Sequence, residues 1–226
     1  MGIDEYFGDW SRVIDLNEAD RLMKRLSSQR ICPLPKDIFR AFRLCSPKDV
    51  RCIVIGMDPY NNLRNGKPVA TGLAFANSPD TPKESCSPSL EILKESVIDF
   101  TRPHGTINFD QSLEKWEEQG VLMLNSALTI PVNGTPGSHM LMWRPFMATL
   151  LENLSKCMPG IVYVLMGTSA QSLEPFIGKN SSHIIRCRHP AYYARTRTAM
   201  PSDIWKEVNG ILTGQNGYGI RWYDEF

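Results

Sequence analysis

Val50-Arg51-Cys52-Ile53-Val54-Ile55-Gly56-Met57-Asp58-Pro59-Tyr60 sets an apolar run of strand length against a polar turn. The run Val50 to Ile55 is rich in the β-branched residues of a strand buried on both faces. Similar runs recur at Val121 to Leu124, Ile161 to Leu165 and, less apolar, His183 to Ile185. Between them Ser89 to Phe100, Asp110 to Gln119, Arg144 to Cys157 and Ser169 to Phe176 carry helical periodicity, as do Asn17 to Leu26 and Lys36 to Leu44 before the first strand. Asn17 is a candidate N-cap, Gly120 a helix stop, and Asn61 to Lys67 and Ser78 to Ser87 read as loops. Strands alternating with helices predict an α/β fold: a central four-stranded, mainly parallel sheet with helices on both faces. With 226 residues, 42% of them hydrophobic, the expectation is a single domain over 1–226.

The formal net charge is +1, so affinity for a polyanion must come from a local patch. One candidate lies between Glu174 and Asp203, an interval without acidic residues that holds Lys179, Arg186, Arg188, Arg195 and Arg197. The six cysteines lack the close spacings of metal or iron–sulfur sites and read as reduced, mostly buried thiols. Residues Met1 to Trp10 are acidic and lack the apolar run of a signal peptide, and no stretch approaches the ~20 apolar residues of a membrane span. These features predict a soluble, intracellular protein.

In parallel sheets, ligands bind outside the carboxyl ends of the strands. That rule selects Gly56 to Tyr60 after the first strand, Asn125-Ser126 after the second, Met166 to Ser169 after the third and Arg188-His189-Pro190 after the fourth. Taken singly, Asp-Pro opens a turn, an asparagine caps a helix and a histidine sits satisfied in a core. On successive strand ends, a carboxylate, an amide and an imidazole beside guanidiniums converge on one rim.

An ordered series of motifs then runs nearly end to end: Pro35 to Arg43 with Asp49-Val50, G-x-D-P-Y at Gly56 to Tyr60, Gly72-Leu73-Ala74-Phe75, Pro88-Ser89-Leu90, Trp116, Gln119 to Asn125, Leu128-Thr129, Ser138-His139, Trp143, Ala170-Gln171, His189-Pro190, and Ile220 with Trp222. In this series the chain closely resembles the family 1 uracil-DNA glycosylases, which excise uracil from DNA and leave an abasic site for base excision repair. The resemblance implies that the target nucleotide is flipped out of the stack and its N-glycosidic bond hydrolysed without a metal or cofactor.

By that resemblance, Asp58 stays ionised, stabilises the oxocarbenium-like sugar and positions water, while neutral His189 donates a hydrogen bond to uracil O2. Asn125 reads O4 and N3–H, Phe75 stacks on the base, and Tyr60 fills the space a thymine methyl would need. Met57 contributes beside the base, and Ser89 holds a phosphate at a helix N-terminus. The DNA-penetrating loop aligns with His189 to Ala194, giving Ala191, Tyr192, Tyr193, Arg195 and Arg197 as DNA-contacting positions, with Tyr193 expected to wedge into the duplex. Four departures stand out. Met57 replaces a glutamine, Asn61 a histidine, the 61–71 segment is longer than in the family, and Ala191-Tyr192-Tyr193 departs from the usual serine, proline and leucine. The expected partner is uracil-containing DNA, with a protein inhibitor or polymerase as a further partner class, no membrane and a monomeric state. Two other readings are a glycosylase for another modified pyrimidine and a DNA-binding or polymerase-accessory protein on the same fold.

Overall fold

In the computed structural model, which describes residues 3–178 and 183–226, four strands form the central sheet: β1 (Cys52–Gly56), β2 (Val121–Asn125), β3 (Val162–Met166) and β4 (His183–Cys187). Their order is β2-β1-β3-β4, and every neighbouring pair is parallel. All five residues of β1, β2 and β3 are buried. Successive strand residues point to opposite faces, so burial of every one means that both faces are covered. Edge strand β4 is half-exposed, which explains why its run is the least apolar.

Nine α-helices among the described residues flank the sheet: α1 (Ile3–Phe7), α2 (Leu16–Leu26), α3 (Arg40–Leu44), α4 (Pro88–Thr101), α5 (Glu114–Glu117), α6 (Met140–Cys157), α7 (Gly167–Gln171), α8 (Pro190–Thr196) and α9 (Asp203–Asn216). None is long and apolar enough to cross a membrane. All five tryptophans are buried, and Trp116, Trp205 and Trp222 pack together with ring centroids 4.8–6.0 Å apart.

Several boundaries differ from the sequence reading, each for a local reason. The cap of α2 is Asp15, whose carboxylate accepts the Glu18 N–H at 3.1 Å, and not Asn17. Val50 ends a 3-10 turn before β1 instead of joining the strand. The expected helix at Asp110 to Gln119 contracts to α5, because the Asp110 carboxylate takes the Ser112 and Lys115 N–H groups into a turn and Leu113 adopts φ 56°. Lys36 to Leu44 divides into a 3-10 turn at Pro35–Asp37 and α3, and Ser169 to Phe176 into α7 and a 3-10 turn at Glu174–Phe176. The expected loop at Asn61 to Lys67 holds a small hairpin, Leu63–Arg64 against Lys67–Pro68, turned by Asn65-Gly66 with φ 49° and 75°. Two successive positive φ angles are what a type I′ turn requires. Cys32, Cys45 and Cys52 are buried, Cys86 and Cys187 partly so, and Cys157 is exposed, so burial of the thiols is less general than expected. Lys179 lies outside the described residues.

One buried group stands apart from the apolar core. Glu117 is 1% exposed; its Oε1 accepts the Met123 N–H at 2.8 Å, and Oε2 has no partner among the described residues. Burial lifts its carboxyl well above the usual range, against the opposing pull of the Met123 N–H and the Arg40 charge. The folded state therefore holds a proton that the unfolded chain releases, and stability falls as pH rises from the unfolded pKa through the folded one. Glu117→Gln keeps an acceptor for Met123 and abolishes the titration. Its melting temperature relative to the parent is expected to become more favourable between about pH 5 and about pH 8; a pH-independent difference would refute the assignment.

Candidate active site

The parallel register sets Gly56 beside Asn125 at the carboxyl ends of β1 and β2. A methyl group on Gly56 would come within 2.6 Å of Asn125 Oδ1 and 2.8 Å of Phe75 Cζ; the missing side chain is what admits both. Asn125 is buried, yet its side-chain amide has no hydrogen-bond partner among the described residues and retains contact with solvent. A largely buried amide without a protein partner is equipped to read a ligand. Phe75 sits at φ 65°, its ring 5.4 Å from that of His189. The Tyr60 hydroxyl donates to the Phe75 backbone carbonyl at 2.8 Å, which holds the Tyr60 ring against the Phe75 main chain.

Asp58 follows β1 on the same rim. Its Oδ2 accepts the Gly137 N–H at 2.6 Å. Burial raises its pKa above the ordinary carboxylate value, and the Gly137 N–H opposes that shift. Gly137 belongs to a loop pinned at two points. Asn61 Nδ2 donates to the Gly134 carbonyl at 2.7 Å, and Trp143 Nε1 donates to Thr129 Oγ1, which pairs with His139 Nδ1. Asn61 thus builds the loop that holds the carboxylate.

His189 caps α8, accepting the Ala191 N–H on Nδ1 at 3.1 Å. An Nδ1 that accepts carries no proton, so the neutral ring bears its proton on Nε2. Burial, then the Arg195 charge, pushes the imidazole down to about 4. Gly167, at φ 87°, leaves room for this ring; a Cβ there would stand 2.9 Å from His189 Cβ.

A cleft of about 540 Å³ brings together Met57, Asp58, Tyr60, Ser89, His189, Ala191, Tyr192 and Arg195; Phe75 and Asn125 lie behind it around Gly56. Ser89 is in the first turn of α4, and its hydroxyl is unpartnered among the described residues. Ile130, Pro136 and Thr168 also line the cleft, and Gly137 fixes Asp58. Thr168 was placed on the rim by the strand-end rule, whereas nothing local in the sequence marks Gly137, Ile130 or Pro136.

Three expectations change. Tyr193 is buried, 8% exposed, and Tyr192 stands at the cleft in its place. The Ala191 N–H is committed to His189, and its side chain offers a phosphate no donor. In the basic interval, Arg186 pairs with Glu174 at 2.6 Å, Arg188 packs over Tyr192, and Arg195 and Arg197 are exposed, the latter beyond the cleft at the α8 C-cap.

Fold and site define an α/β protein whose strand ends bring together a half-buried carboxylate, a neutral imidazole and an amide without a partner among the described residues. The family model described as the uracil DNA glycosylase superfamily matches residues 42–213, and the chain belongs to that superfamily. The uracil-DNA glycosylase of Serratia proteamaculans is 34% identical over 205 residues, covering 88% of this chain and 84% of the relative. That of Yersinia pestis is 33% identical over 204 residues with the same coverages. The crystal structure of mimivirus uracil-DNA glycosylase superposes with a TM-score of 0.83 at 25% identity, over 98% of this chain and 89% of the mimivirus chain.

The His189 assignment is open to direct measurement. Ring-nitrogen NMR at neutral pH is expected to show the Nε2–H tautomer, with protonation only near a pKa of about 4; an imidazole titrating in the ordinary histidine range would contradict it.

Proposed function

We propose that this protein excises uracil from DNA, and that the pairing of Asp58 with a neutral, Nε2-protonated His189 across one cleft carries that reading. A deoxyuridine inside a duplex hides its glycosidic bond, so the nucleotide must leave the stack before the chemistry. Water then adds to C1′ as the C1′–N1 bond breaks and its electron pair departs with uracil. Positive charge grows on the sugar and negative charge on the base, and preorganised groups of both kinds lower that barrier. Asp58, held by Gly137, supplies the negative charge and orients the water. His189 Nε2–H donates to uracil O2 as it becomes anionic. A cationic imidazole would risk losing its proton to the base, whereas a neutral donor retains it.

The Asn125 amide offers a donor for O4 and an acceptor for N3–H; cytosine presents the reverse of uracil, so it would meet donor with donor and acceptor with acceptor. Phe75 stacks on the base, Met57 lies beside it, and the locked ring of Tyr60 occupies the space of a C5 methyl. Ser89 with the first turn of α4 receives a phosphate, and Arg195 and Arg197 add charge at the mouth. Tyr192, at the cleft rim, enters the space the nucleotide vacates.

Incubation with a uracil-containing oligonucleotide followed by alkali is expected to cut the strand. Asp58→Asn should slow this by at least ~100-fold, the scale of losing one preorganised electrostatic group. Thymine- and 5-hydroxymethyluracil-containing strands should remain intact; no scission of the uracil strand at high enzyme would sink the proposal. Because Asp58 must be ionised and its pKa is raised, excision should decline on acidification through a pKa above the usual carboxylate value, and Asp58→Asn should lack that limb.

The two tyrosines separate by phenotype. Tyr192→Ala is expected to lower the duplex-to-single-strand ratio of excision rates. Tyr193→Ala, which empties a buried site, is expected to reduce stability by about 3–5 kcal/mol; a ratio that responds only to Tyr193 would restore it as the inserted residue.

A further inference from the structure

We infer that Arg188 is a positioning residue that clamps the Tyr192 ring on the ridge between two clefts, poised to enter the duplex. The inference rests on the reading of Tyr192 given above. Arg188 follows β4 and precedes His189, so its backbone is fixed by the sheet on one side and by the α8 cap on the other. Its Cζ lies 4.3 Å from the centroid of the Tyr192 ring, within the range of a cation–π contact. Tyr192 is also braced by Tyr193, edge to face with centroids 5.3 Å apart and planes at 87°. Tyr193 is buried in the core, so the brace is rigid.

The place of this clamp argues for a role. Beside the active-site cleft lies a second one of about 550 Å³, lined by Gly167, Gln171, Cys187 and Arg188 among others. Tyr192, His189, Thr168 and Arg195 line both, so the ring stands on the divide. An aromatic side chain there, held only by its own torsions, would sample several rotamers, and each encounter with DNA would have to select one. A guanidinium over one face and a buried ring against another remove that cost in advance. Arg186, two residues earlier, is engaged by Glu174, whereas Arg188 makes no ion pair among the described residues and finds its partner in the ring.

Excision rates on matched duplex and single-stranded uracil oligonucleotides, for the parent, Arg188→Met, Tyr192→Ala and the double variant, test this. Arg188→Met is expected to lower the duplex-to-single-strand ratio ~3-fold, the scale of an exposed cation–π contact, and Arg188→Lys to recover part of the loss. In the Tyr192→Ala background Arg188→Met should change the ratio no further. An equal fall in both backgrounds would assign Arg188 to a DNA phosphate and overturn the inference. If Tyr192→Ala leaves the ratio unaltered, the reading of Tyr192 fails and this inference with it. If Tyr192→Ala lowers the ratio but Arg188→Met does not, the inference alone is wrong.

Discussion

The site depends on an atom that is missing. Gly56 ends the second-from-edge strand of a parallel sheet in register with Asn125, and any side chain there would collide with the Asn125 amide and the Phe75 ring. From this vacancy a chain of contacts runs outward: Phe75 turns in at positive φ, Tyr60 ties its carbonyl, and its ring faces His189. Gly167 repeats the device at the end of β3, clearing the space that His189 occupies. Two glycines, each ending or following a strand, convert a fully packed sheet edge into a cleft.

Burial acts on the two reactive groups in opposite senses and to the same end. It raises Asp58 and lowers His189, favouring in each case the uncharged form. The local field breaks this symmetry. The Gly137 N–H stabilises the Asp58 carboxylate, whereas Arg195 and the N-terminus of α8 disfavour an imidazolium. The rim therefore accepts negative charge and resists positive charge on its histidine, the polarity that a departing uracil anion requires in the proposed reaction. The Glu117 carboxyl, more deeply buried and away from the rim, also has one N–H partner and the Arg40 charge, yet burial outweighs both.

What the sequence reveals follows from where the physics is local. Strands buried on both faces must be apolar throughout, so three runs were plainly legible and the half-exposed β4 less so; the polar residues at their ends were legible because a parallel sheet puts all carboxyl ends on one rim. Helix limits were less so: side chains that recapture backbone groups, such as Asp15 and Asp110, reset them within a turn. Gly137 was invisible because it contributes a backbone N–H, which every residue but proline has. Tyr193, the residue aligned with the inserted position of the family, is buried for a geometric reason. A motif fixes positions along the chain, but α8 rotates successive side chains by about 100°, so adjacent tyrosines point to different environments. Spacing gives the neighbourhood, and helical phase decides which ring is buried.

The same distinction governs the basic segment. Counted along the chain, the interval from Glu174 to Asp203 is a run of cations; folded, one guanidinium pairs with Glu174 and another covers Tyr192. Arg195 at the cleft and Arg197 at the α8 C-cap remain turned to solvent. With a net charge of +1, the chain as a whole offers little attraction to a polyanion, so the grip on phosphates in the proposed reaction must come from local cations such as these. In the proposed reaction, discrimination falls to the pocket, where the Asn125 amide, the Tyr60 wall and the Phe75 face all act on a base that has already left the stack.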